Sequence, residues 1–93
     1  MNLRVFKKDI KFHVEVFVND CTAFISKNPD KVTEELSKII EDAANLYYDT
    51  KEKASDRVEG NRKLYFNGLL DELFEKLDAL YERLSKEIIR IKA

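Results

Sequence analysis

Glu72, Glu75, Asp78 and Glu82 follow one another at steps of three, three and four. On a helix, such spacing stacks carboxylates on one face. Facing helices that do this share a divalent cation and use it for hydrolysis. That chemistry requires the carboxylates to point into the bundle, and their phase says otherwise. The same segment carries an apolar stripe of Phe66, Leu70, Leu73, Leu77, Leu80, Leu84, Ile88 and Ile91, widened by Leu69, Phe74 and Tyr81. At about 100° per residue the carboxylates centre roughly opposite that stripe. They are expected in solvent, with Lys76, Arg83, Lys86 and Arg90 beside them and i, i+4 ion pairs among them. Glu34, Glu35, Glu41, Asp42 and Asp49 read the same way against the stripe of the middle segment.

His13 is the sole histidine. It lies four residues after Asp9 and seven before Asp20, all in one helical sector. A metal site takes three or four ligands, and no second histidine exists to help. A His–carboxylate pair is the expected arrangement. Cys21 falls on an apolar stripe with no predictable base, so it reads as a buried hydrophobe rather than a nucleophile. It also cannot form an intramolecular disulfide, since it is the one cysteine. No Gly-rich phosphate loop appears. These patterns point to a protein that is not an enzyme and that uses no metal or cofactor. No motif is specific enough to name a family.

The elements that must position these residues follow from composition and punctuation. Ninety-three residues with 44% apolar and 38% charged residues suit one helical domain spanning 1–93. Two Gly and one Pro leave few places to break the chain. One break is Asn28-Pro29, read as an N-cap followed by proline at the first helical position. The other is Gly60-Asn61, with glycine just past a helix end. Gly68 falls inside the third segment, where it implies close packing or a late helix start. The middle segment shares Val32, Leu36, Ile39, Ile40, Ala43, Leu46 and Tyr47 on one face, thinning to Thr50, Ala54 and Val58.

The first segment is double-valued. Leu3, Phe6, Ile10, Val14, Phe17, Cys21 and Phe24 step at helical spacing, while Ile10, Phe12, Val14, Val16 and Val18 alternate as in a strand. The helical pattern is the longer, and a strand would need a partner from a second chain. The expected fold is therefore all-α: an up-down-up antiparallel bundle of three long helices, about 3–27, 29–59 and 61–92.

A second apolar line runs along the first helix. Val5, Phe12, Val16 and Ala23, spaced 7, 4 and 7, lie roughly opposite its core stripe. One apolar face suffices for a helix in a three-helix bundle, so a second implies a partner. With Tyr48 and Tyr65, aromatics off the core stripes, these residues are the expected interface. The expected partner is a second copy of the chain or another helical protein.

The alternative reading concerns charge. Seventeen basic and eighteen acidic residues give a net charge of −1, which disfavours a uniformly basic nucleic-acid binder. The up-down-up topology nevertheless gathers Arg4, Lys7, Lys8, Lys11, Lys53, Arg57, Arg62 and Lys63 at one end, with Lys51 beside them. That end would serve an accessory module for nucleic acid or another anion. No run reaches the ~20 apolar residues that span a bilayer, and no signal-peptide pattern opens the chain. No membrane association is expected, and the expected compartment is the cytoplasm.

Overall fold

The computed structural model describes residues 2–56 and 60–92. Three helices run in order: α1, Leu3–Lys27; α2, Glu34–Ser55; and α3, Arg62–Lys92. Every pair of helices is in contact, and no strand occurs among the described residues. The molecule measures 51 × 18 × 16 Å. Its radius of gyration of 15.2 Å exceeds the ~12 Å of a globule this size, so it is a rod. The fold is the all-α three-helix bundle that the periodicity predicts, and residues 10–18 lie within α1.

Each helix starts on a side-chain cap. Asn2 accepts the Val5 amide at 2.9 Å, and Asn61 accepts those of Lys63 and Leu64 at 3.0 and 3.3 Å. The cap of α2 differs from the expected one. Asn28 belongs to the end of α1: its backbone and side-chain amides both donate to the Phe24 carbonyl. Pro29–Lys31 forms a single 3-10 turn, and Val32 is extended. Thr33 is the N-cap of α2, its hydroxyl accepting the Leu36 amide at 3.1 Å. Asp30 therefore misses the first turn of α2, while Glu34 and Glu35 occupy it, where the helix dipole favours them. Val32 leaves the core face and is exposed. At the other end α2 stops at Ser55. Asp56 is its extended C-cap, so the helix ends short of the expected 59; residues 57–59, with Val58, lie outside the described residues. Gly60 takes a φ of +97°, which glycine reaches without strain.

The core follows the stripes. Phe6, Ile10, Phe17 and Cys21 of α1 meet Leu36, Ile39 and Ala43 of α2 and Phe66 and Leu73 of α3, all essentially fully buried. Two phenylalanines of α1 meet rings of α3: Phe6 stacks on Phe66 with centroids 4.5 Å apart, and Phe17 meets Tyr81 edge-on at 4.7 Å. Thr50 and Ala54 carry the burial of α2 toward its end. Across the α2–α3 seam, Arg83 donates to Asp42 and Glu35, each at 2.7 Å.

Candidate functional site

The second apolar line of α1 lies at the surface. Val5, Phe12, Val16 and Ala23 are all exposed, Phe12 by 62%. They stand opposite the buried face of Phe6, Ile10, Val14 and Phe17, as one helix requires of residues half a turn away.

Neighbouring helices extend this ridge on both sides. Toward α3, the His13 ring meets Phe12 at 5.5 Å and Phe74 edge-on at 4.8 Å. Phe12, His13 and Phe74 form a continuous aromatic strip across the α1–α3 seam. His13 thus packs between two phenylalanines, where the sequence suggested a pairing with Asp9. Phe74 is 40% exposed, although it was expected to widen the core stripe. Its phase held the signal: it lies about 80° off the stripe's centre at 100° per residue. Toward α2, Tyr48 is 63% exposed and lines a shallow groove with Glu15 and Val18.

Tyr65 is not brought to this face. Its hydroxyl donates to the Lys53 carbonyl at 2.7 Å and its half-buried ring leans on Phe66. It fastens the end of α2 to the start of α3 and is committed there.

The basic residues divide into two groups. Arg4, Lys7, Lys8 and Lys11 of α1 face Lys51 of α2 across a groove of about 530 Å³, floored by Leu3 and Tyr47. Lys53 is engaged elsewhere, on Glu72 at 3.3 Å. Arg62 lies over the Phe66 ring at 5.9 Å, and Lys63 is exposed at the start of α3. Arg57 lies outside the described residues.

The acidic candidates lie where phase put them. Glu75, Asp78 and Glu82 are exposed. Glu72 accepts Lys76 at 2.9 Å as well as Lys53, and these hydrogen bonds hold its carboxyl below the usual range. Among the described residues, no group of three or more His, Cys, Asp and Glu side chains could hold a metal ion. Cys21 is fully enclosed in the core. One carboxylate escaped notice in the sequence. Glu87 is buried on the edge of the α3 stripe, beneath Arg90, which donates to it. The long Arg90 stem covers the carboxylate while its head stays in water.

None of the described helices is long and apolar enough to cross a membrane. No protein-family model, curated protein or solved structure matches the chain.

Proposed function

We propose that this protein is a small non-enzymatic interaction module that assembles with a second copy of itself through the outer face of α1. The observation that carries this reading is the ridge of Val5, Phe12, Val16 and Ala23, broadened by Phe74. Exposed aromatic and β-branched side chains in one line cost solubility unless something covers them.

The spacing of the ridge favours a second copy as the cover. Val5 and Ala23 lie nine residues to either side of Val14, and Phe12 and Val16 lie two to either side. A two-fold axis beside the outer face of α1, level with Val14, sets two copies of the helix antiparallel. Phe12 then opposes Val16 of the second copy, and Val5 opposes its Ala23. This is the self-complementary pattern of an isologous contact. Phe74 stands beside His13, level with that axis, so the two Phe74 rings close the seam on the α3 side. The face involves few side chains compared with the roughly 20–30 residues per side of a standard interface. The dimer is accordingly a weak, concentration-dependent one.

Sedimentation velocity over a concentration series tests the reading. The wild-type chain should shift from monomer to dimer, and Phe12→Asp should remain monomeric with an unchanged helical circular dichroism spectrum. A wild-type chain that stays monomeric throughout, or a dimer untouched by Phe12→Asp and Val16→Asp, refutes it.

A further inference from the structure

The groove between the start of α1 and the end of α2 borders the ridge at Lys8 and has a chemistry of its own. Its walls are Arg4, Lys7, Lys8 and Lys11 on one side and Lys51 on the other, and its floor is Leu3 and Tyr47. Among the described residues no carboxylate lines it. Of the five cations, only Lys11 has an ion-pair partner among the described residues, Glu15 at 3.7 Å, and that pair is largely solvated. Lys51 rests over the Tyr47 ring at 5.8 Å, which holds its ammonium at the groove's edge. The open end of α1 adds to the same field. Its first turn contains no acidic residue, so the positive end of the helix dipole is uncompensated beside Leu3 and Arg4.

From this arrangement we infer that the groove binds a compact anion carrying two or more phosphate groups. The four cations of α1 cover two helical turns, about 10 Å at 1.5 Å per residue. One phosphate reaches only part of that row, whereas a linked pair or triplet engages it along its length, with Lys51 closing from the opposite wall. The volume falls within the roughly 300–1,000 Å³ of small-ligand sites. A long nucleic-acid strand fits less well. Asp49, Glu52 and Asp56 take the opposite flank of α2, toward α3, where Lys53 and Lys76 stand among them, so no continuous basic track leads a polyanion on from the groove. A chain of net charge −1 thus gathers five cations in one groove whose lining, among the described residues, holds no carboxylate.

Titration calorimetry at about 50 mM salt, where phosphate contacts still favour binding, provides the test. The probes are inorganic tripolyphosphate, ATP and a single-stranded oligonucleotide. The protein is the Phe12→Ser chain, which removes the aromatic anchor of the ridge without placing a charge beside Lys8 and Lys11, so that self-association and its failure leave the result untouched. Tripolyphosphate should bind, and the Lys7→Gln/Lys51→Gln double variant should weaken it by about tenfold or more. Lys38→Gln, exposed on α2 far from the groove, should bind as the parent does. ATP binding tighter than tripolyphosphate assigns Leu3 and Tyr47 to an organic body; equal affinities confine recognition to the phosphates. Absence of binding by both triphosphates, equal loss in Lys38→Gln, or binding of the oligonucleotide alone overturns the inference.

Discussion

Cys21 is enclosed on all sides by the helices, and that enclosure decides its chemistry. Burial disfavours the thiolate, and the neighbouring Asp20 adds repulsion, so the thiol is pushed up from 9.0 to about 11. An unfolded chain releases this proton at lower pH than the folded one. Stability from this group is therefore complete below pH 9 and declines as pH rises from 9 toward 11. The full span corresponds to about 3 kcal/mol at most. Tyr81 acts in the same direction at higher pH. Burial and its hydrogen bond to Asp20 push its hydroxyl up to about 12. Urea midpoints measured from pH 8 to 11 should fall for the wild-type chain and fall less for Cys21→Ala. An identical decline in both chains would show that the thiol does not carry the effect. A thiol reagent at pH 8 should accordingly label the unfolded chain far faster than the native one.

At the scale of the helix, Gly68 is a position where the bundle gives up stability. The sequence suggested that a glycine inside α3 marks close packing or a late start. Neither holds, because α3 begins at Arg62 and a Cβ built at Gly68 meets nothing within 4 Å. Its backbone does not need positive φ. What remains is the entropic cost of glycine in a helix. Gly68→Ala should stabilise the fold by about 0.5–1 kcal/mol, read as a higher denaturant midpoint at unchanged slope. A lower midpoint would mean that Gly68 serves a contact outside the described chain.

The same element shows what a sequence can and cannot disclose. The stripes from Phe66 to Ile91 and from Leu3 to Phe24 were legible because each helix buries one continuous face, which periodicity records directly. The solvent-facing position of Glu75 and Asp78 followed from the same phase. The start of α2 was not legible in this way. Asn28-Pro29 and Thr33 are both plausible starts, and the choice rests on Asn28 binding back to Phe24, a contact invisible to local propensity. Phe74 and Tyr65 failed for a related reason. Both lie near the borders of their stripes, where the approach angle of the neighbouring helix decides between core and surface. The ridge of α1 was legible because it sits opposite the core. The basic groove was legible only as an end of the molecule. Which cations share it depends on Lys53 turning to Glu72 while Lys51 turns to Tyr47.

For the whole rod, the two proposed surfaces respond to salt with opposite sign. Antiparallel packing about a two-fold axis brings like flanks together. Asp9 and Asp20 lie on the flank of α1 toward α3, five and six residues from Val14 on opposite sides. Asp9 of one copy therefore approaches Asp20 of the other. On the α2 flank Lys8 approaches Asn19, while Lys11 and Glu15 further round that flank pair with each other and leave no net charge. The apolar ridge then holds the dimer against a net repulsion at its rim. Raising NaCl from about 10 mM to 0.5 M shortens the Debye length from roughly 30 Å to under 5 Å and removes most of that repulsion. Self-association should tighten or hold level over this range, while phosphate binding in the groove weakens steeply through counterion release. Sedimentation and calorimetry on one protein preparation separate the two. A dimer that dissociates as salt rises would mean that the basic end of one rod grips the acidic face of another, which places the contact on charge and not on the ridge of Val5, Phe12 and Val16.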